Sequence, residues 1–569
     1  MRFLLPMSGL RYFTPEIYHQ FVRSISGKSY LFAPWLTPMA SGEHQNDRIR
    51  RLDTKRISSS PVRSNDQLGQ DSSDPDYYFP SSENLVRRPS TIEDEQKVKN
   101  LLKEILAYQD TNVSSWIVES KVKTLCAAYK YLLKPHRDGF LKVLACEHAV
   151  DHQMVCKAAK SLVSLELHED ECDRRQVMKG EERLKNLLTP QYSWLFIHMG
   201  RLERGVKFLV DLRTDVLAVI SDMDVNDPAM VPMQQLNLTL REMLSLWFSV
   251  GFLNLERVTW RSPCEMLQKI SEYEAVHPVR NWTDLKRRVG LYRRCFVYTH
   301  SSMPDEPLVV LHTALSDEIA PSMKGIVSAT SRMSVDAAAC PGMFVDAQTE
   351  DPSCVKAAIF YSISSTQKGL KGIELGNYLI KRVVKELQTE FPLVNKFSSL
   401  SPIPTFRLWM MERLKAAEKG QPDVFTADEV EQLKSHLKTD NFWSELKQLF
   451  KTNGWATDSK LVILLEVPLM RLCARYLYLE KRRGYALDNV ANFHLRNGAV
   501  MWRLNWQADT SPRGLGNSCG IMVNYRYFLE DTETNSRAYL EKQHIVASDE
   551  VRQLAFKARE LMEKFTSKM

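Results

Sequence analysis

The sequence predicts an α+β protein, in which an all-α helical bundle domain at residues 93–262 precedes a mixed α/β domain at residues 263–569. A chain of 569 residues is long enough for at least two such domains. Up to about Val258, apolar residues recur at the i, i+3, i+4 and i+7 spacing of amphipathic helices. After about Arg261, short apolar β-like runs alternate with helical patterns. No fixed sequence period is present, which disfavours a repeat solenoid.

Residues 1–40 have the composition of a mitochondrial targeting segment. The first 28 residues carry four Arg or Lys residues among aromatic and hydroxyl side chains, and Glu16 is their only acid. An unstructured extension would explain the same composition equally well. Residues 41–92 are dense in Ser, Asp, Arg and Pro and predict a disordered linker.

The last three residues predict a second targeting signal. Ser567-Lys568-Met569 differs in one residue from the peroxisomal signal Ser-Lys-Leu, which an import receptor reads. Translation from Met39 would omit the basic segment and leave a form in the cytoplasm or the peroxisome. We expect the mitochondrial matrix first and the peroxisome second.

The helical domain follows the linker. Its pattern is clearest in the segments EDEQKVKNLLKEILAYQ, SKVKTLCAAYKYLL, LERGVKFLVDLRTDVLAVI and TLREMLSLWFSVGFL. Trp247, Phe248 and Phe252 fit a packed core better than a ligand site. Helical faces left over after packing can serve self-association, so we expect a homo-oligomer formed through this domain.

The mixed domain shows strands and helices by their different spacing. Strands are predicted at residues 306–315, 357–363 and 499–506, where β-branched, aromatic and other apolar residues run together. Helices are predicted at 376–387 and 549–565, where apolar residues return at helical spacing.

Charge favours an anionic partner only weakly. The formal net charge of +7 is spread along the chain, and the sequence has no zinc-ligand spacing, RNP-like motif or long basic tract, so we expect no nucleic-acid partner. The densest basic cluster consists of Lys286, Arg287, Arg288, Arg293 and Arg294. It predicts a solvated face, and the alternative is contact with phosphates or an acidic partner.

Cysteine spacing and hydropathy argue against a disulfide-bonded, metal-binding or membrane-spanning protein. The ten cysteines form no C-x-x-C pair, which indicates a reducing compartment, and no Cys/His cluster has metal-ligand spacing. A membrane-spanning helix needs about 20 predominantly apolar residues. The most apolar stretch, residues 461–479, is broken by Glu466, Pro468 and Arg471. We therefore predict no integral membrane segment and no metal.

A strand, a glycine-containing turn and a helix follow one another from residue 357 onwards. Gly369, Gly372 and Gly376 fall between the apolar strand and the helical repeat, and we call residues 367–377 the glycine turn. Such a turn exposes backbone N–H groups at a helix start, where phosphate binds readily. The glycine spacing matches neither a P-loop nor a dinucleotide fingerprint, and an ordinary strand-to-helix turn is the alternative.

Two polar residues in the mixed domain are candidates for proton transfer. Ser401 precedes Pro402 and Pro404, which exclude a helix or a central strand and predict a stiff loop holding the hydroxyl. His494 stands just before a β-like run, where a sheet edge can direct the imidazole towards a ligand. Each has an ordinary alternative, a Ser-Pro turn for Ser401 and a structural histidine for His494.

The segments around these residues strongly resemble the malonyl-CoA decarboxylase family. The resemblance rests on FYSISSTQKGLKGIELGNYLIKRVVKELQTEFP, FSSLSPIP, PLMRLCARYLYLEKRRGYALDNVANFHLRNGAVMWRLNWQAD and SCGIMVNYRYFLED, and it extends from about Glu93 to near the C-terminus. It implies a helical domain followed by a catalytic domain similar to acetyl-CoA-dependent acetyltransferases. Thr405, where the family has glycine, is a modest departure.

The resemblance also implies the site residues. Its catalytic pair corresponds to Ser401 and His494, and its late tyrosine, a possible support of the active site, corresponds to Tyr527. Its coenzyme A contacts correspond to Lys371, Gly372, Ile373, Glu374, Leu375, Gly376 and Asn377, together with the catalytic pair.

The implied reaction converts malonyl-CoA to acetyl-CoA and carbon dioxide, which regulates the malonyl-CoA level and fatty acid metabolism. No cofactor is expected, because the thioester carbonyl accepts the electron pair that carbon dioxide leaves behind. We assign Ser401 as a hydrogen-bond donor to the carboxylate or enolate and His494 as the general acid, while a nucleophilic Ser401 remains an alternative. A CoA-dependent acyltransferase and a non-catalytic CoA-binding or scaffold protein are the rival functions.

Overall fold

The computed structural model describes residues 91–109, 111–166, 174–328, 350–373, 375, 379–420, 424–439 and 441–566. All of them belong to one compact unit, Val86–Met569. The predicted targeting segment, nearly all of the predicted linker and the predicted peroxisomal tripeptide lie outside the described residues. Within the described ranges, the structure contains no helix long and apolar enough to cross a membrane.

Helices fill the first part of the described chain, as the apolar spacing predicts. Thr91 begins the first of them with a capping box shared with Asp94, and a stripe including Val98, Leu102 and Ile105 is buried. The helices of this region are α1 (Ile92–Leu106), α2 (Ser115–Tyr131), α3 (Lys134–Glu147), α4 (His152–Glu166), α5 (Arg174–Leu187), α6 (Gln191–Arg201), α7 (Gly205–Asp222) and α8 (Met230–Trp247).

Helix α7 connects the helical region to the rest of the fold. It packs against α6 and α8, and also against the short 3-10 helix Lys368–Leu370 in the glycine turn. Its buried Phe208 and Leu209 belong to the same hydrophobic core as Val309 and Phe360 of the sheet. The helical region and the sheet therefore share one core.

One mixed sheet organises the second part of the chain. Its strands are β1 (Leu253–Val258), β2 (Arg293–His300), β3 (Val309–Ser316), β4 (Ala357–Ser365), β5 (Lys396–Ser399), β6 (Ser401–Pro402), β9 (Val500–Asn505) and β10 (Met522–Tyr527). Strands β1 to β5 follow one another in the sheet, β10 pairs with both β5 and β6, and β9 pairs with β10; among the described strands of this sheet, only β4 and β5 pair in parallel. A separate two-stranded sheet joins β7 (Lys481–Arg482) to β8 (Tyr485–Ala486).

Strand β4 contains a bulge at Tyr361. His312 of β3 pairs with Ser362 and Thr313 pairs with Phe360, so that Tyr361 is left over between them. A bulge of this kind bends the strand and re-aims its side chains. Residues on both sides of the bulge line the cavity described below.

Helices flank the strands, and this confirms the predicted order of a helical region followed by a mixed α/β region. They are α9 (Cys264–Tyr273), α10 (Trp282–Arg288), α11 (Leu379–Glu390), α12 (Phe406–Glu418), α13 (Ala427–Leu437), α14 (Phe442–Thr452), α15 (Ser459–Ala474), α16 (Asn489–Arg496), α17 (Pro512–Ser518), α18 (Thr532–Lys542) and α19 (Asp549–Thr566). The helical pattern predicted up to about Val258 is wrong for Leu253–Val258, which form strand β1 beside β2. The likeness to acetyltransferases remains a prediction.

The prediction of a solvated basic face is wrong for three residues of the basic cluster. Arg293 and Arg294 are buried, and the side chain of Arg288 is 11% exposed. Arg294 bridges two carboxylates, those of Glu350 and Glu390. Arg288 and Arg294 are oriented inwards towards carboxylates, Arg288 towards Asp284, whereas Arg293 donates to the carbonyl oxygen of Ile326.

Candidate active site

Ser401 and His494 meet inside the protein, although 93 residues separate them in the sequence. The Oγ atom of Ser401 lies 2.8 Å from Nε2 of His494. Both side chains are buried, and both line the same cavity. A hydroxyl at hydrogen-bond distance from an imidazole can exchange a proton with it, so the pair is competent for acid–base or nucleophilic chemistry.

The sheet, rather than a loop, holds Ser401. The sequence predicts a stiff loop at this position, but Ser401 and Pro402 form the short strand β6, in which Ser401 pairs with Val523 of β10. Strand β6 continues β5 alongside β10 in one register, since Ser398 pairs with Arg526 and Ser401 pairs with Val523. The pairing of β4 with β5 ends at Ser399, so Pro402, which has no N–H group to donate, lies beyond that ladder.

His494 lies in the last turn of helix α16, and its predicted position at a strand edge is therefore wrong. Asp488 begins this helix by accepting the N–H of Ala491 at 2.8 Å. The chain turns after the helix at Gly498, where φ is +78°. A Cβ atom at Gly498 would lie 1.8 Å from the carbonyl oxygen of Thr532, so this turn requires glycine.

Two tyrosines of β10 orient the imidazole. The ring of Tyr525 stacks on that of His494, with 4.5 Å between the ring centroids and 16° between the planes. The hydroxyl of Tyr527 lies 2.7 Å from Nδ1 of His494. Because residues two apart share one face of a strand, a single strand supplies both contacts. The predicted support residue Tyr527 thus contacts the histidine directly.

The hydrogen bonds form a directed relay. The hydroxyl of Ser401 donates to Oγ of Ser399 at 2.8 Å. Since a hydroxyl carries one proton, Nε2–H of His494 then donates to Ser401 and Nδ1 accepts from Tyr527. Ser399 also accepts the backbone N–H of Tyr525 at 3.3 Å, which fixes this end of the relay to β10.

Burial keeps the relay neutral. Removal from water lowers the pKa of His494 to about 3, so its imidazole is uncharged near pH 7. Burial also raises the pKa of Tyr527 well above its ordinary value, so its hydroxyl keeps its proton. An uncharged imidazole presents one N–H donor and one acceptor, as the relay requires.

A cavity of about 1040 Å³ opens onto Ser401 and His494. Most of its wall comes from α7, the bulged strand β4, the glycine turn and α16, and Val276, Val309 and strand β6 complete it. The described residues that line it include the cations Lys368, Lys371 and Arg496 and no carboxylate. The cavity therefore favours an anionic ligand that extends from an exposed cationic region to a buried neutral pair.

The described part of the glycine turn forms part of the cavity wall. Lys371, Gly372, Ile373 and Leu375 all line the cavity. Gly372 has φ +81°, and no atom lies within 4 Å of the position that a Cβ would take. The other three predicted contacts lie outside the described residues: Glu374, Gly376 and Asn377.

Sequence reasoning missed several residues of this site. Ser399 stands two positions before Ser401, and Asp488 is a cap residue six positions before His494; both signals are local and were available in the sequence. Helix α7 adds Thr214, Leu217 and Ala218 to the cavity wall, and no local pattern marks these. In the described ranges, no group of three or more His, Cys, Asp or Glu residues is placed to hold a metal ion.

Comparison with known families identifies both parts of the chain. The family model for the malonyl-CoA decarboxylase C-terminal domain matches residues 251–566, and that for the malonyl-CoA decarboxylase N-terminal domain matches residues 148–248. Malonyl-CoA decarboxylase, mitochondrial, from Anser anser anser is 49% identical over 417 residues, which are 73% of this chain and 79% of that protein. The Rattus norvegicus protein of the same name is 50% identical over 417 residues, 73% of this chain and 81% of its own length.

Solved structures agree with the sequence comparisons. The crystal structure of malonyl-CoA decarboxylase from Rhodopseudomonas palustris matches with a TM-score of 0.64 at 29% identity, covering 81% of this chain and 99% of that one. The enzyme from Agrobacterium vitis matches with a TM-score of 0.62 at 26% identity, covering 80% and 99%. The family predicted from the sequence is confirmed, and this chain belongs to the malonyl-CoA decarboxylase family.

Proposed function

We propose that the protein decarboxylates malonyl-CoA to acetyl-CoA and carbon dioxide, with Ser401 and His494 as the catalytic pair. The observation that carries this proposal is the 2.8 Å contact between the two residues at the wall of a cationic cavity, in a chain of this family. The names of the goose and rat relatives state the same activity.

The chemistry needs two things from the protein. The bond between C2 of the malonyl group and its carboxylate carbon breaks, carbon dioxide leaves, and the electron pair moves into the thioester to give an enolate. A proton then adds to C2, which completes acetyl-CoA. The site must stabilise negative charge on the thioester oxygen and deliver that proton. The reaction itself calls for no metal or organic cofactor.

His494 is suited to deliver the proton. Its Nε2–H points at Ser401 on the cavity wall, and a thioester enolate is basic enough at carbon to take a proton from a neutral imidazole. The hydroxyl of Tyr527, 2.7 Å from Nδ1, stabilises the charge that develops on the ring. Solvent that enters through the cavity restores the proton afterwards.

Ser401 is suited to stabilise the enolate. Its hydroxyl donates to Ser399, and rotation about one bond redirects the proton towards a ligand oxygen in the cavity. Nε2–H of His494 donates to the same oxygen atom of Ser401 and strengthens it as a donor. A covalent acyl-serine is not needed for this chemistry.

The glycine turn is suited to bind the coenzyme. Lys368 and Lys371 place two cations beside the open backbone at Gly372, and phosphate oxygens accept hydrogen bonds from both kinds of group. The predicted contacts Lys371–Asn377 therefore remain our proposal for coenzyme A binding.

The test is an assay without an acceptor. Purified protein is incubated with malonyl-CoA alone, and carbon dioxide and acetyl-CoA are measured. Equal amounts of both support a decarboxylase, since an acyltransferase needs an acceptor. Tight binding of CoA without release of carbon dioxide across a range of pH would instead favour a non-catalytic CoA-binding protein.

We also propose a mitochondrial location and a homo-oligomer formed through the helical region. Both curated relatives are named mitochondrial, and residues 1–40 have a matching composition. The large apolar side chains of Trp116, Val231 and Leu246 are exposed on helices, which supports self-association. A fluorescent protein fused to residues 1–45 should enter mitochondria, and light scattering should give a mass above that of one chain.

A further inference from the structure

Arg213 of helix α7 is buried beneath the glycine turn. It is 2% exposed, and its guanidinium donates to the carbonyl oxygens of Gly369 and, at 2.9 Å, Lys371. A third hydrogen bond runs from its Nε atom to Oδ1 of Asn237 on α8 at 3.0 Å. All three acceptors are neutral, and among the described residues no carboxylate forms an ion pair with Arg213. Arginine keeps its charge even when buried, so a cation lies directly under the turn.

The contact fixes which way the backbone of the turn faces. In a trans peptide the C=O group and the following N–H group point in opposite directions, and the described chain has no cis bond. With the carbonyl of Lys371 held by Arg213, the N–H of Gly372 points away from α7. Gly372 lines the cavity, and no atom lies within 4 Å of its virtual Cβ. The N–H group therefore points away from α7 at a residue of the cavity wall, where a ligand oxygen can accept its hydrogen bond.

The turn and the helix are in direct contact. A Cβ atom at Gly369 would lie 1.9 Å from the carbonyl oxygen of Val210, one turn before Arg213 on α7. Further along the same helix, Thr214, Leu217 and Ala218 line the cavity. The helical region therefore forms part of the ligand site, in addition to any role in assembly.

We propose that Arg213 is a positioning residue for the phosphates of coenzyme A: it sets the N–H group of Gly372 outward and places a positive charge behind it. This rests on the proposed function, because it assumes a coenzyme A thioester as the substrate. The helical region would then control affinity for the coenzyme, while the strands and α16 carry out the chemistry.

The test compares two substrates. Malonyl-CoA carries the phosphates, and malonyl-pantetheine carries the same acyl group and thioester without them. For Arg213→Met we expect kcat/KM for malonyl-CoA to fall about 10- to 100-fold, mainly through KM, the usual scale for lost hydrogen bonds to charged groups. With malonyl-pantetheine, kcat/KM should change less than about threefold. Arg213→Lys should recover part of the loss because it restores the charge.

A control and a second variant keep the outcome clear. Arg137 of α3 pairs at 3.1 Å with Asp215 of α7, the helix that also carries Arg213, and Arg137 does not line the cavity. Arg137→Met therefore removes an arginine that stabilises α7 without changing a contact to the turn. Its KM for malonyl-CoA should match that of the wild type. If Arg213→Met does not fold, Asn237→Ala removes the side chain that holds Nε of Arg213 and should raise KM for malonyl-CoA, by a smaller factor, without changing KM for malonyl-pantetheine.

If Arg213→Met lowers kcat/KM equally for both substrates, Arg213 only stabilises the fold. If Arg213→Met keeps the wild-type kcat/KM for both substrates, Arg213 does not act on the coenzyme. Either result overturns the proposal. Calorimetric affinity for CoA and for pantetheine gives a readout that needs no turnover. If the wild type binds CoA but releases no carbon dioxide, the proposed function fails, and the effect of Arg213→Met on CoA affinity still tests this inference.

Discussion

The substitution Tyr527→Phe tests how the active site controls the histidine. It removes only the hydroxyl that lies 2.7 Å from Nδ1 of His494 and leaves the aromatic ring in place. Without that donor, Nδ1 is a buried acceptor with no partner. The ring can then move its proton from Nε2 to Nδ1, which leaves Nε2 unable to donate to Ser401 or to the substrate.

The size of the effect follows from the burial of the ring. Leaving one buried polar group unpaired costs about 1–3 kcal/mol, and about 1.4 kcal/mol corresponds to a factor of ten in rate. We therefore expect kcat for decarboxylation to fall roughly 10- to 100-fold. KM should stay within about twofold, because Tyr527 is not among the described residues that line the cavity.

Initial rates of acetyl-CoA formation over a range of malonyl-CoA concentrations measure both constants. A matched control is Tyr292→Phe, which removes the hydroxyl of another buried tyrosine; that hydroxyl accepts the N–H of Asp351 at 2.9 Å, and Tyr292 does not line the cavity. Wild-type kcat in Tyr527→Phe would refute the orienting role. An equal loss in the control would show that any buried tyrosine hydroxyl has the same effect.

Four further outcomes are expected. For His494→Asn, kcat should fall about 100-fold or more, with little change in calorimetric affinity for CoA, and near-wild-type turnover would remove His494 from the mechanism. For Ser401→Ala we expect a loss of the order of 100-fold in kcat, whereas a fully active Ser401→Cys that traps an acyl group, detected by mass spectrometry, would indicate a nucleophile. For Gly372→Val, KM should rise more than kcat falls, because a branched side chain would occupy the open space at the turn and strain a backbone with φ +81°; an unchanged KM in a folded variant would make the turn purely structural. The free energy of unfolding should decrease as pH falls from about 6.5, because the unfolded chain binds a proton at His494 that the folded chain binds only near pH 3. This one site contributes about 1.4 kcal/mol per pH unit. Denaturant titrations at several pH values should show that the free energy of unfolding depends less steeply on pH in His494→Asn than in the wild type.

The sequence predicted those features that depend on neighbouring residues. Apolar spacing predicted the helical region, and residues 357–363 predicted a strand that the structure extends to Ser365. It placed His494 wrongly because α16 has only eight residues, too few to show a helical period before the β-like run begins. The Asp488 cap was the available sign of a helix.

Contacts between distant segments were beyond local patterns. Residues 156 positions apart form the bond between Arg213 and Gly369, and a single sequence holds no periodic signal for such a pair. The contact between Ser401 and His494 was expected only because the chain resembles a known family, which supplied the pair without its geometry. The pairing of Ser401 with Val523 likewise depends on sheet order, which strand propensity does not determine.

The division of the cavity into a cationic part and a neutral part separates two responses to ionic strength. Lys368, Lys371 and Arg496 are exposed to solvent, where dissolved ions screen their attraction for an anionic coenzyme. Ser401 and His494 are buried and uncharged, so salt has little at this position to screen. Rising salt should weaken substrate binding and raise KM, while kcat for the bond-breaking step stays the same. A change in the ionic composition of the compartment would therefore alter the fraction of enzyme that holds substrate and leave the turnover of the bound enzyme unchanged.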